Sequence, residues 1–282
     1  MYMFLEKGMW DADFYSKVKS ACVSLGVNYE EISFVECFNS IPKEKHDAMS
    51  NKLDLMKYEF VFPYGCINFV NHLKSKVEGV FWNKNFDFHV YSSYWHKYML
   101  MKDNMGYFST FGHVKHMPML NLVHFHGQFF MRPDKGNKIF TGRVFKQETI
   151  NHDLTYMGYN FPAEIPNEEL VYVSGVEKIK REFRFAIIDG KIASSTLYNV
   201  NGRATEEPGC DNRKIIELAN EVASDPWQPD QMYSLDICEY GDDKIAVLEI
   251  GCLNCSGWYK MNPQYIIKAI SDWEDKYQQG KA

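Results

Sequence analysis

Two strand-like runs, Glu182 to Ile188 and Lys191 to Tyr198, meet at the dipeptide Asp189-Gly190. So short a connection forces the two strands to run antiparallel, because the turn needs positive φ, which Gly and Asp tolerate. Tyr233 to Glu239 and Lys244 to Ile250 repeat the arrangement about Gly241-Asp242-Asp243. Phe129 to Met131 and Leu170 to Val173 add further runs rich in aromatic and β-branched residues. With helices predicted over Arg213 to Ala223 and Gln264 to Tyr277, the second half of the chain reads as α+β.

The first third follows another rule. Tyr2 to Leu5, Asp11 to Leu25, Ile32 to Val35, Tyr58 to Pro63 and Cys66 to Lys76 alternate strand-like with helix-like segments, which favours parallel strands covered by helices. Asp11 or Asp13 can cap the first helix and Gly26 can close it. From Phe86 to Met101 the aromatics Phe88, Tyr91, Tyr94, Trp95 and Tyr98 recur at spacings of three and four, on one helical face. Core packing is preferred here to a base-stacking platform, which needs interleaved basic residues. There is no internal repeat, low-complexity tract or long linker, so any lobes must pack tightly.

Composition removes several classes of function. With 45% of its 282 residues hydrophobic, the chain can bury a sizeable core. No apolar run approaches the roughly 20 residues needed to span a bilayer. Thirty-one basic against thirty-seven acidic residues leave a net charge of -6, so nucleic acid is not indicated as a partner. Seven scattered cysteines (22, 37, 66, 210, 238, 252, 255) read as reduced thiols. Met1 to Trp10 lacks a basic leader, and the expected location is cytoplasmic. Cys252-Leu253-Asn254-Cys255 has the spacing of a redox or half-zinc site but no second such pair. His113, His116, His124 and His126 form a better zinc candidate, although no carboxylate accompanies them and solvated histidines are the preferred reading.

Three clusters can carry chemistry. Phe129 to Arg143 runs from a strand into a polar loop with Gly136, Gly142, Arg132 and Lys138, able to bring N–H groups and positive charge to phosphate oxygens. A solvated basic hairpin fits the same residues. Strand alternation places Glu182 and Arg184 on one face and Phe183 and Phe185 on the other, either a preorganised polar site or a cross-strand ion pair. Asp236 and Glu249 sit within two otherwise apolar strands of one hairpin. Burying such carboxylates without partners is costly, so a cation is a natural explanation, and hard oxygen ligands suit Mg²⁺.

In this order the clusters resemble the ATP-grasp superfamily, specifically the clade marked by two arginines and a lysine. That clade has phage and bacterial members and a eukaryotic relative that assists assembly of a translation initiation factor. The resemblance runs from about Val61 to Tyr259. It rests on Phe62-Pro63-Tyr64-Gly65-Cys66, Leu120-Asn121, Arg132-Pro133-Asp134, Lys138-Ile139-Phe140-Thr141-Gly142, Glu182-Phe183-Arg184, Ser195-Thr196-Leu197-Tyr198, Asp236, and Glu249 through Tyr259.

The resemblance implies an α+β ATP-grasp fold: an α/β N-terminal lobe over residues 1–120, then two α+β lobes over 121–282 that clamp ATP, hinged near 171–177. Arg132 and Lys138 would hold phosphates, with Thr141 and Gly142 in the same loop. The backbone of Val171, Tyr172, Val173 and Ser174 would meet adenine. Glu182 would face the ribose, while Asp236, Glu249 and Asn254 would hold Mg²⁺. The family's usual ending is Glu-x-Asn, whereas Gly251 stands here in place of Asn. The implied reaction is ATP- and Mg²⁺-dependent carboxylate–amine ligation through an acylphosphate, with Arg184 and Lys138 as catalytic residues and a peptide or protein among the candidate substrates. The alternative is a non-catalytic ATP-binding assembly protein.

Overall fold

In the computed structural model, which describes residues 1–32, 60–74, 79, 83–103, 106–116, 127–136, 139–146 and 165–281, three sheets follow one another along the chain. The first contains β1 (Tyr2–Glu6), β2 (Asn28–Ile32) and β3 (Val61–Tyr64), all parallel, in the order β2-β1-β3. Helix α1 (Ala12–Leu25) makes the crossover. Its start is fixed by the Asp11 carboxylate, which accepts from Phe14 N–H at 2.9 Å, and its end by Gly26 in the left-handed region at φ 68. Helix α2 (Ile67–Lys74) follows β3.

The single aromatic helix predicted over 86–101 is broken. A 3₁₀ turn (Lys84–Phe86) leads into α3 (Phe88–Tyr94), and a second 3₁₀ turn follows at Leu100–Asp103. The cause is tertiary: the carbonyl of Tyr98 accepts from Val247 N–H at 2.8 Å, drawing the chain out of the helix to bridge an edge strand. Phe88, Tyr91, Trp95 and Tyr98 still point inward. Tyr94 does not; it is 59% exposed and stacks on Trp227 at 4.3 Å.

The second sheet is antiparallel, in the order β4-β7-β5-β6, from β4 (Tyr107–Thr110), β5 (Gln128–Pro133), β6 (Arg143–Lys146) and β7 (Leu170–Ser174). Phe129, Met131, Phe140, Phe145, Val171 and Val173 fill its core, with the short helix α4 (Phe111–His116) beside it. Because β4 already pairs with β7, sheet membership changes at Tyr107, ahead of the expected division at residue 120.

The third sheet is also antiparallel. Its strands are β8 (Ile179–Ile188), β9 (Lys191–Val200), β10 (Arg203–Pro208), β11 (Met232–Tyr240) and β12 (Lys244–Cys252), in the order β10-β9-β8-β11-β12. Asp189 and Gly190 turn with φ of 51 and 69, and Gly241 and Asp243 with φ of 48 and 56. Phe183, Phe185 and Ile187 face α5 (Arg213–Ala223). Ala186 and Ile188 face the other way, onto Leu253, Trp258 and α6 (Pro263–Lys281), in a core continuous with Met3, Leu5, Phe14 and Phe62. The parallel sheet and the five-stranded sheet therefore share one core. Six cysteines fall among the described residues, all of them free, and no helix there is long and apolar enough to cross a membrane.

Trp258 closes the shared core: it is fully buried, lies 4.3 Å from the Tyr64 ring, and donates its indole N–H to the Leu253 carbonyl at 3.2 Å. Trp258→Ala is expected to cost about 3–5 kcal/mol in urea unfolding. A loss below about 1 kcal/mol would show that the two sheets do not depend on a common core.

Candidate functional site

Strand β5 carries Arg132 toward the third sheet, and the chain from Ser174 to Ile179 joins β7 to β8. Between the two sheets lies a cleft of about 730 Å³, walled on its apolar side by Phe88, Phe130, Met99 and Leu248. The Arg132 guanidinium lies 4.4 Å above the ring of Phe88, and its Nη2 is 3.4 Å from Glu249 Oε2. Phe88 is held in turn by Asp134, whose carboxylate accepts from His89 N–H at 2.7 Å and contacts His89 Nδ1 at 2.7 Å. The tripeptide Arg132-Pro133-Asp134 thus acts as a unit, with the arginine reaching into the cleft and the aspartate capping the helix that supports it. Gly142 lets the loop pass close by, since a Cβ there would come within 2.8 Å of Phe130 and 3.0 Å of Arg132.

On the third sheet Glu182, Tyr198 and Glu249 line the cleft, and behind them the β8–β11 register sets Arg184 opposite Asp236, neither of which lines it. Arg184 Nε and Nη2 donate to the two Asp236 oxygens at 2.8 and 2.7 Å, and Nη1 donates to the Gly257 carbonyl at 3.3 Å. Both side chains are buried, so this is a charge-assisted bidentate pair in low dielectric. The Tyr198 hydroxyl stands 2.8 Å from Glu182 Oε2 and 3.1 Å from Asp236 Oδ2. Burial, together with the charges of Asp236 and Glu182, holds the Tyr198 phenol well above its ordinary range, so it remains a donor. Burial also raises the Glu182 carboxyl; the Tyr198 hydrogen bond opposes the rise and the Asp236 charge adds to it.

Glu249 pairs with Asp236 across β11 and β12, so the two strand carboxylates are direct neighbours. A bulge leaves Leu248 as an extra residue beside them and turns it into the cleft. Among the described residues there is no group of three or more His, Cys, Asp or Glu that could hold a metal ion. Two carboxylates nevertheless fit Mg²⁺, which commonly takes one or two and fills its remaining positions with water and phosphate. Glu249 is the more open, its side chain 21% exposed against 2% for Asp236.

Of the other expected site residues, Thr141, Gly142, Tyr172, Ser174 and Glu182 line the cleft. Val173 does not: its side chain fills the core of the second sheet, and its backbone is in register with Met131 on one side and Tyr107 on the other. The strand that lines the cleft gives way to the segment Gly175 to Ile179, whose first three residues fall within the hinge expected near 171–177. Asn254 has its amide engaged elsewhere. It is fully buried, donates from Nδ2 to the Pro63 carbonyl at 2.7 Å, and accepts at Oδ1 from the Cys252 thiol at 3.2 Å, so its amide ties the third sheet to β3 and is not brought to Asp236 and Glu249. At Gly251 a Cβ would meet Ser234 Oγ at 3.0 Å and Ser256 Oγ at 3.1 Å, so two hydroxyls close the space a side chain there would take. Lys138, His124, His126, Leu120 and Asn121 lie outside the described residues.

An apolar cleft between a four-stranded and a five-stranded antiparallel sheet, with Arg132 and Glu249 lining it and the buried Arg184–Asp236 pair behind Glu182 and Tyr198, belongs to an ATP-grasp fold. The chain belongs to the ATP-grasp domain family numbered second in the clade marked by two arginines and a lysine, whose model matches residues 107–269, and ATP with magnesium is what that family uses. The match begins where β4 begins. The fold is similar to D-cycloserine synthetase DcsG over 97% of this chain and 99% of that one, with a TM-score of 0.63 at 11% identity. It is similar to D-alanine–D-alanine ligase from Bacillus anthracis over 100% of both chains, with a TM-score of 0.59 at 11% identity. It is also similar to the ATP-grasp ligase PsnB, complexed with a minimal precursor, over 96% and 98%, with a TM-score of 0.52 at 9% identity. No curated protein matches the chain.

The raised Glu182 carboxyl has a measurable consequence. Folded Glu182 keeps its proton to higher pH than unfolded Glu182, so its contribution to stability falls as pH rises from the ordinary carboxylate range through the folded value, and stays low above it. Glu182→Gln is therefore expected to raise Tm at neutral pH, with the gain vanishing near about pH 4. A gain of equal size at both pH values would contradict burial as its cause.

Proposed function

We propose that this chain is an ATP- and Mg²⁺-dependent carboxylate–amine ligase that works through an acylphosphate. The observation that carries the reading is the meeting, on one sheet face, of Arg184, Asp236 and Glu249, with Arg132 reaching toward Glu249 from the opposite sheet. In this reading residues before the second sheet form a lobe that shapes acceptor choice, and the two later sheets are the grasping lobes, hinged near 171–177.

Arg132 and Lys138, with Thr141 and Gly142, hold the phosphates. The backbone after Ser174 meets the base, and Glu182 accepts from ribose hydroxyls. Arg132 Nη2 lies 3.4 Å from Glu249 Oε2 in the structure, so phosphate on Arg132 competes with that contact, and Glu249 with Asp236 would hold Mg²⁺. When bound, the ion neutralises charge on the phosphate oxygens. An oxygen of the substrate carboxylate then bonds to the γ-phosphorus as the bond to the departing ADP oxygen breaks. An amine nitrogen next bonds to the acyl carbon, phosphate leaves, and the amine proton leaves with it. Arg184 has five N–H donors and uses three, on Asp236 and Gly257, leaving two to stabilise negative charge on the acyl oxygen. PsnB was solved with a precursor, which supports including peptides or proteins beside amino acids as substrates here. Free thiols support a reducing cytoplasmic setting.

One observation favours the second reading, an ATP-binding module that grips a partner without chemistry: Gly251 and the committed amide of Asn254 leave the Glu-x-Asn ending without its amide ligand. The two are separated by incubating the protein with Mg–ATP, hydroxylamine and pools of amino acids and peptides. A ligase releases ADP and yields a hydroxamate, detected by mass, only with the right acid. A module that binds Mg–ATP but releases no ADP above background contradicts the ligase. The phosphate assignment is checked by calorimetry: Arg132→Ala or Lys138→Ala should weaken ATP by about 1.5–3 kcal/mol while leaving adenosine unchanged. Equal losses for both ligands would indicate general damage to the cleft.

A further inference from the structure

We propose that Tyr259, stacked on Tyr198, is a positioning residue that fixes the direction in which Arg184 presents its two unused N–H groups. The inference rests on the reading of Arg184 as the group that stabilises charge during ligation. Three observations converge on it. The Arg184 guanidinium carbon lies 5.0 Å from the Tyr198 ring centre and 5.3 Å from that of Tyr259, and the two rings are 5.3 Å apart and within 5° of parallel. One cation therefore touches both members of a stacked pair. Tyr259 also has φ 47, a left-handed backbone that a bulky side chain rarely adopts. That backbone folds its ring back over Gly257, where an added Cβ would lie 3.2 Å from the ring, and Gly257 supplies the carbonyl that accepts from Arg184 Nη1.

A purely structural tyrosine would be expected in a core. Tyr259 is only partly buried and, among the described residues, belongs to none of the hydrophobic clusters, although its neighbour Trp258 is fully buried in the shared core. Trp258 anchors the turn and Tyr259 projects from it. Asp236 fixes one edge of the guanidinium, but a carboxylate bound to one edge leaves the plane free to tilt about that edge. The rings and the Gly257 carbonyl remove that freedom. Orientation established before the substrate arrives is what makes a cationic donor effective, because no reorganisation is needed as charge develops.

The chain has six arginines, so the Nε–Hε signals of ¹⁵N-arginine-labelled protein can be resolved, and that of Arg184 is assigned by its disappearance in Arg184→Lys. Asn tolerates the left-handed backbone, so Tyr259→Asn removes the ring and keeps the turn. In Tyr259→Asn the Arg184 signal should move by more than its linewidth and exchange faster with water, with the other five signals in place; Tyr259→Phe should restore it. Affinity for Mg–ADP with aluminium fluoride, a mimic of the transferring phosphoryl group, should fall about fivefold to thirtyfold in Tyr259→Asn, the range of a partly to fully desolvated cation–π contact, and not in Tyr259→Phe. Affinity for Mg–ADP alone should be unchanged in both. If the Arg184 signal and the aluminium fluoride affinity stay as in the wild type while Arg184→Lys loses that affinity, the positioning role is overturned and the ligase reading stands. If Arg184→Lys itself binds the complex as tightly as the wild type, the role assigned to Arg184 fails. Should Tyr259→Asn not fold, Tyr259→Gly serves, with the same outcomes.

Discussion

The bidentate pair between Arg184 and Asp236 is the interaction around which the remainder of the site is arranged. Two charges taken out of water pay a desolvation cost that their attraction only roughly offsets, so a buried pair is weak evidence of stabilisation. Its retention in the middle of a five-stranded sheet calls for another reason. The neighbours supply one: Tyr198 bonds the same carboxylate, Gly257 holds the third edge of the guanidinium, and the flanking positions of the same strands become apolar only as they leave the cleft. One strand, β8, thus changes along a single face from Glu182 and Arg184 at the cleft to Ala186 and Ile188 in the core. A polar site built on a rigid strand is held by the packing beneath it.

The opposite wall is more loosely held. Arg132 Nη2 lies 3.4 Å from Glu249, and Glu249 is the more open of the two carboxylates, whereas Asp236 is clasped at two points and closed off from solvent. Of the two arginines, only Arg132 lines the cleft; Arg184 lies buried behind it with both Asp236 oxygens engaged. In the proposed reaction that difference divides the labour: the second sheet would receive phosphate, and the third would hold its geometry while charge moves. At Gly251 the space an added Cβ would take is bordered by the hydroxyls of Ser234 and Ser256, which bond one another at 2.7 Å.

Much of this was readable from local chemistry. Asp189-Gly190 and Gly241-Asp242-Asp243 announced their hairpins because a turn depends on a few residues, and the alternation of Glu182-Phe183-Arg184-Phe185 announced which side chains share a face. Asn201-Gly202, at φ 52 and 76, carries an equally strong turn signal and was overlooked, because the following strand β10 is exposed and polar and shows no apolar alternation. The aromatic stretch after Phe86 read as one helix because its spacing is helical; the hydrogen bond from Val247 that breaks it comes from a strand about 150 residues away in sequence. Asn254 and Val173 show the same limit in their side chains. Sequence order suggested their company, but the amide of Asn254 is spent on Pro63, 191 residues away, and Val173 sits on the core side of its strand. Tyr259 gave no sequence signal beyond membership in the ending of the motif; its left-handed backbone is visible only in three dimensions.

The central claim is that Arg132 on one wall and, on the other, a carboxylate pair backed by Arg184 make a site for nucleotide and metal together. Calorimetric titration of the purified full chain with ATP, with and without Mg²⁺, tests it most directly. The account predicts micromolar binding that weakens sharply when Mg²⁺ is withheld; no binding in either condition would contradict it.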